Sequence, residues 1–362
     1  MNRKALSNIF LSFLLILGSS ALFASDSQPT GDGDLIDTPE EINEYIKHHL
    51  QDSHDFTLYT DGETGTHYGF PLPVILWDDG LKVFSSAKFH HGETVAEADG
   101  NYYRLYHSKI YKTNAKGDLD LDESGHPHNQ KPLDFSITKS VLGMLIAGIL
   151  LIWGFRSLAK SYSKGPIPTG FGRVLEPLII YVRDDIAIPN IGEKKHRKYM
   201  GFLLTAFFYI WVLNLMGMTP LGFNVTGQIA VTVCLALFTF FITQFSGNRH
   251  YWGHIFWMPG IPVLMKILLI PVEVLGMFTK PFALLIRLFA NMTAGHFVVM
   301  SLIALMITMK AQFGVVTSTG IAFFLAFFIS LIELLVAFLQ AYIFTMLSAL
   351  FIGMAVADHE EH

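Results

Sequence analysis

Six side chains could pass a proton, or stop one, inside a chain that is otherwise strongly apolar: Glu273, Arg287, Asn291, His296, Glu333 and Gln340. From Tyr199 to Ala357 the charged residues, histidine aside, are Arg249, Lys266, Glu273, Lys280, Arg287, Lys310 and Glu333. A guanidinium cannot shed its proton, so at membrane depth it is costly unless a water-lined cavity or a counter-charge receives it. Arg287 lies mid-helix, too far from an end to snorkel, and an ionisable group so placed marks a functional site. Histidine titrates near neutrality, and a carboxylate taken out of water can trade protons with it. Arg287 can pass no proton and repels one.

The neighbours of Arg287 say what it faces. Gly276, Ala283, Ala290 and Ala294 share its helix face with Asn291. A row of small residues lets another helix approach closely in lipid. That helix could belong to a partner, or the row could be ordinary packing within this chain.

These groups need elements to carry them. The chain has 362 residues, 51% hydrophobic and 15% charged, with a mean hydropathy of +0.42. That is the composition of a membrane protein with a polar appendage. Its net charge of −5 is segregated along the chain, and Cys234, its one cysteine, excludes a disulfide or a thiolate metal site.

Residues 1–24 read as a signal peptide: Arg3 and Lys4, a short apolar core, then Ala21-Leu-Phe-Ala24. An uncleaved anchor is the alternative. Residues 25–136 follow as an exported, periplasmic region. Its aromatic and β-branched runs at 67–77, 102–106 and 109–112, punctuated by Asp-Gly and Gly-Asp pairs, predict a small β-rich unit. Nine of the fifteen histidines lie there, without metal-ligand spacing, and Asp118-Leu-Asp-Leu-Asp122 lacks the glycine and glutamate of a calcium loop.

The membrane domain runs over 137–358. A first span covers 140–155, and the Lys/Arg-rich segment after it is expected on the cytoplasmic side. Within that segment 171–188 predicts a helix along the interface, ended by Pro189. Residues 199–217 and 227–245 form a transmembrane pair. Residues 263–309 and 319–357 are each about 40 residues or more, so roughly 60–70 Å long at 1.5 Å per residue. Upright spans of a core about 30 Å thick are excluded, so these two are tilted or broken at Pro271 and Pro281, with tilt and local bends favoured.

Folding them into a hairpin at 263–357, with the turn between Phe313 and Gly314, sets Arg287 opposite Gln340 and His296 within one turn of Glu333. Glu273 then lies near the cytoplasmic end. The polar groups form one line, from His296 and Glu333 on the exported side, past Asn291, Arg287 and Gln340, to Glu273. Such a line is two proton half-paths divided by a fixed positive charge. It carries nothing across unless a moving carboxylate on another subunit links the halves.

Arg287-Leu-Phe-Ala-Asn-Met-Thr-Ala-Gly-His296 and Leu339-Gln-Ala-Tyr-Ile-Phe344 resemble the two signatures of subunit a of the F-type ATP synthase. Asn214-Leu-Met-Gly-Met-Thr-Pro220 and Asn224-Val-Thr226 are similar to the hairpin turn region of the same family. The resemblance spans about 135–357. It implies that Arg287 is the essential arginine facing a rotating c-ring carboxylate. Asn291, His296, Glu333 and Gln340 then line the periplasmic half-channel, and Glu273 the cytoplasmic one. Many bacterial members of the family have Glu and His where this chain has His296 and Glu333, which implies that the pair acts as a unit. The implied partners are the c-ring, the subunit b stator, the rest of the ATP synthase and the lipid membrane. No nucleic acid, cofactor, metal or ATP site is expected. The expected setting is multi-pass in a bacterial inner membrane, N-terminal region periplasmic and C-terminus cytoplasmic.

Two other classes compete. A secondary transporter needs inverted repeats and matching helix breaks in both halves, which this sequence lacks. A purely structural stator anchor explains the small-residue row but not the polar line. The expected fold is an all-α membrane protein: first span, interfacial helix, helix pair and two long tilted helices, preceded by the β-rich unit.

Overall fold

Aspartate–glycine pairs turn two of the hairpins, at residues 79–80 and 99–100. A computed structural model describes residues 52–60, 67–92, 94–122, 127–163, 165, 167, 168, 170, 172–219, 223–257 and 262–357. The signal-like stretch at 1–24 and the start of the expected exported region lie outside the described residues. The described chain forms two compact units, one from the residues before 145 with 216–224 and 296–331, the other from 145–215, 225–295 and 332–357.

The first unit holds eight strands: β1 (Asp55–Thr60), β2 (His67–Pro71), β3 (Pro73–Trp77), β4 (Leu81–Ser85), β5 (Ala96–Ala98), β6 (Asn101–Tyr106), β7 (Lys109–Thr113) and β8 (Leu133–Asp134). They pair as β1-β2, β4-β3-β8 and β5-β6-β7, all antiparallel. Asp79-Gly80 and Asp99-Gly100 turn with positive φ. Asp99-Gly100 is a two-residue hairpin between Ala98 and Asn101, with the twist such turns favour, and the β3-β4 connection has one residue more, Asp78. Val74 and Leu76 of β3 point inward with Phe84, Phe89, Ala96, Tyr103 and Ile110 as one apolar core.

One buried polar group is fully answered within that core. Asp78 accepts a hydrogen bond from the Tyr103 hydroxyl at 2.8 Å and pairs with Lys112 at 2.8 Å. The Lys112 hydrogen bond holds the Asp78 carboxyl below its ordinary value, overcoming burial, and Tyr103 helps. Burial first, and then the same Asp78, push the Tyr103 hydroxyl up.

Eight helices follow: α1 (Lys139–Tyr162), α2 (Gly172–Tyr181), α3 (Ile188–Ile191), α4 (His196–Gly217), α5 (Ile229–Ser246), α6 (Arg249–Phe256), α7 (Val263–Phe313) and α8 (Val315–Val356). The first amides of α1 are answered by Asp52, whose Oδ1 accepts from Ser140 at 3.0 Å, and by Thr138, whose Oγ1 accepts from Val141 at 3.4 Å. These satisfy donors that a helix start leaves free. Stretches of α1, α4, α5, α7 and α8 are long and apolar enough to cross a membrane, which makes the helical part that of a multi-pass membrane protein.

The second unit packs Leu203, Phe207, Phe208 and Ile210 of α4 against Val182, Ile186, Leu284, Leu288, Ala341, Phe344 and Ile352. Its amphipathic segment departs from the sequence expectation of a helix ended by Pro189. A π-helical turn at Val182–Ala187 joins α2 to α3, and the helical path continues past Pro189 to Ile191, where Gly192 turns with φ 94°. The amide of Ile188 bonds back to Arg183. Pro189 therefore sits at the start of a new turn, where a missing N–H costs nothing. Val182, Ile186 and Ala187 are buried, while Arg183, Asp184 and Asp185 are exposed.

Both long helices exceed the expected lengths, and α7 runs through Pro271 and Pro281 without a break. At 1.5 Å per residue they measure about 77 Å and about 63 Å. Gly314 alone separates them, with φ 74°.

Candidate functional site

α7 presents two different faces between residues 283 and 294. Leu284, Leu288 and Met292, four residues apart, are 1%, 1% and 7% exposed and seal against the rest of the unit. Ala283, Arg287, Ala290, Asn291 and Ala294 are all exposed. This stretch of helix thus supplies both the packing row and a row that the described residues leave uncovered. Among the described residues the small-residue row is therefore not used for packing within the chain. Among the described residues Arg287 has neither a hydrogen-bond partner nor an ion-pair partner.

Glu333 of α8 lies half-buried against the backbone of Gly295. A Cβ added at Gly295 would stand 2.7 Å from Glu333 Oε1 and 3.3 Å from its Cδ. The missing side chain makes room for the carboxylate, one residue before His296, whose own side chain lies outside the described residues. Among the described residues Glu333 has no hydrogen-bond or ion-pair partner. Carried eight residues along both helices, this register puts Arg287 level with Ala341, one residue from the expected Gln340.

Level is not contact, however. Gln340 is 4% exposed and buried, Arg287 is on the open face, and no hydrogen bond joins them among the described residues. Glu273 lies half-buried further along α7. Burial pushes the hydroxyl of Tyr251 in α6 up; a Gln244 hydrogen bond opposes this, and the charge of Glu273 adds to it. Between Glu273 and Arg287, Lys280 extends its ammonium over the Phe351 ring, 5.6 Å from the centroid.

The structure adds residues that spacing alone does not mark as positioning groups. Asn214 of α4, 2% exposed, accepts a hydrogen bond from Thr226 at 2.8 Å and donates to the Ala337 carbonyl at 3.4 Å. Ala337 stands between Glu333 and Gln340 on α8. The two quoted turn-region motifs, around 214 and around 226, therefore meet at the helix that carries the polar row. The end of α8 is fixed as well: Asn248 donates to the carbonyls of Ala355 at 2.9 Å and Val356 at 3.0 Å, and Lys195 to Val356 at 2.6 Å. Those donors satisfy carbonyls that a helix end leaves free.

This geometry can hold a fixed positive charge on an open helix face with a carboxylate and a buried amide beside it at known heights. Among the described residues no three His, Cys, Asp or Glu side chains gather as for a metal ion.

Comparison with known proteins gives the arrangement its relatives. A family described as ATP synthase A chain matches residues 141–353, and a domain of unknown function matches residues 45–135. An ATP synthase subunit a of Chloroherpeton thalassium is 47% identical over 257 residues, 68% of this chain and 75% of that protein. An ATP synthase subunit a 2 of Prosthecochloris aestuarii is 38% identical over 321 residues, 84% of this chain and 97% of that protein. An ATP synthase subunit a of Myxococcus xanthus is 46% identical over 244 residues, 64% of this chain and 77% of that protein. A match over more than half of the chain, with the membrane helices and the arginine-bearing face inside it, assigns the family: this chain belongs to the ATP synthase A chains, the a subunits of the F-type ATP synthase.

Proposed function

We infer that the open row of α7 is the surface on which protons are exchanged with a rotating ring of c subunits. The observation that supports this most is the division of α7 at residues 283–294. Its leucine row is buried, while Ala283, Arg287, Ala290 and Ala294 stand exposed. Small residues let a ring helix come close, and the guanidinium meets a ring carboxylate at short range.

The cycle follows from charge. A protonated ring carboxylate is neutral and can face lipid. At the stator it loses its proton to one half-channel, and the resulting carboxylate pairs with Arg287. It then gains a proton from the other half-channel and moves on. Arg287 stays protonated throughout, so protons cannot leak directly between the halves. Glu333 and His296, with Asn291 and Gln340, form the periplasmic half-channel; Glu273 belongs to the cytoplasmic one. Rotation of the ring drives ATP synthesis elsewhere in the complex, and subunit b holds this chain still.

The same reading sets the chain in a bacterial inner membrane, with 1–24 as signal peptide, 25–136 periplasmic, 137–358 as membrane domain and the C-terminus cytoplasmic. Cysteine cross-linking in the assembled complex tests the open face. Ala290→Cys should join to a cysteine on the ring helix, and Leu288→Cys should not. Cross-linking from 288 but not from 290 would put the ring on the wrong face and end this reading.

A further inference from the structure

The β unit carries an apolar face that none of the described residues covers. In an antiparallel sheet with one face on a core, the other face is normally polar. Here the outward positions of the β4-β3-β8 sheet hold Pro73, Ile75, Trp77, Leu81, Val83 and Leu133, with Ser85 the one polar residue and no charged side chain among them. Trp77 sits in the middle, paired with Leu81 on one side and Leu133 on the other. Phe135 follows Leu133 beyond the strand. Trp77, Leu81, Val83, Leu133 and Phe135 are 56–63% exposed. A contiguous apolar patch of this kind marks a binding surface.

The backbone indicates what covers it. Past β8 the chain stays bonded to β3, the Phe135 amide donating to Ile75 at 2.8 Å and that of Ile137 to Pro73 at 3.1 Å, and then to the residues before β1, the Lys139 amide donating to Ser53 at 2.8 Å. Lys139 is the first residue of α1, a helix long and apolar enough to cross a membrane. At about 3.4 Å per residue, Leu133 is within about 20 Å of chain from that start. The sheet is thereby tethered within reach of the bilayer surface where α1 enters it. A tryptophan amid aliphatic and phenylalanine side chains is the composition that settles at a membrane interface.

We propose that the Trp77–Leu81–Val83–Leu133–Phe135 face docks on the lipid interface beside the entry of α1, holding the N-terminal unit down on the membrane. The proposal is independent of the role of Arg287 and concerns residues that the ATP synthase A chain match, 141–353, does not include.

Nitroxide accessibility tests it. In the full chain with Cys234→Ser, single cysteines at 81, 83, 133 and the exposed Lys116 are spin-labelled and the protein is reconstituted in phospholipid bilayers. Three labels on the face keep the test independent of any one substitution that fails to fold, and Trp77 is left in place. Labels at 81, 83 and 133 should lose collisions with an aqueous nickel chelate and gain them with lipid-soluble oxygen, relative to 116. Nickel collisions equal to those at 116 would mean that the face is open to water. Shielding from both reagents would mean that protein covers it, whether another part of this chain or another subunit. Either result overturns the proposal.

Discussion

Glu333 rests against Gly295, with its Oε1 2.7 Å from the point where a Cβ would be. A carboxylate on α8 thus depends on the absence of a side chain on α7. The far end of a glutamate can swing away, so Gly295→Ala should leave folding and assembly intact while displacing the acid. Proton-pumping assays on membranes carrying the variant should show reduced flux at a normal content of assembled complex. Wild-type flux would mean that the place of Glu333 is not critical.

Gly353 makes a closer approach. An added Cβ there runs into the backbone oxygen of Asn190 in α3, which cannot swing away. Gly353→Ala should therefore destabilise the helical unit by about 1–3 kcal/mol, the usual range for overpacking. A thermal melt of the purified chain, or its accumulation in membranes, checks this; an unchanged melting temperature would show that α8 can slide on α3.

Asn214→Ala removes the group that joins Thr226 to the Ala337 carbonyl. Leaving those partners buried and unpaired costs about 1–3 kcal/mol. Thr226→Ser keeps the hydroxyl and should be milder than Thr226→Val. Equal losses from the two Thr226 variants would mean that packing, and not the hydrogen bond, holds the loop at 226 to α4.

The β unit should respond to acid through Asp78. Its carboxyl is held below the ordinary value, chiefly by the Lys112 hydrogen bond. A depressed carboxyl contributes stability that is complete above the unfolded value, about 3.9, and is lost as pH falls from there through the folded value. Hydrogen exchange of the β3 and β6 amides should show protection falling over that acid window, and less steeply in Asp78→Asn. An identical acid response in the variant would assign the dependence to other groups.

Much of this architecture is legible in the sequence, for physical reasons. Apolar runs of about 20 residues announce membrane spans, and the spacing of Ala283, Arg287, Ala290 and Ala294 is that of one helix face. The Asp-Gly pairs at 79–80 and 99–100 mark two hairpins. What escapes is whatever depends on two distant backbones meeting. Nothing near Gly353 signals the Asn190 carbonyl, and nothing near Asn214 signals Ala337. Pro189 misleads because a π turn changes which amides need partners. The hairpin register comes within one residue, because a one-residue turn fixes it. Whether Arg287 turns toward Gln340 is decided by the leucine row beside it, which packs inward and leaves the guanidinium outside.

On this reading Arg287 is a charge barrier on an open face and not a packing residue. The decisive measurement is ATP synthesis driven by a proton gradient in membranes carrying Arg287→Ala. An exposed side chain without a partner among the described residues contributes little to folding, so the complex should assemble at its normal level. Synthesis should fall to background. Arg287→Lys should fail too, since a lysine lacks the rigid fork and can give up its proton when desolvated. Gradient-driven synthesis at the wild-type rate in assembled Arg287→Ala complex would mean that Arg287 is not the barrier.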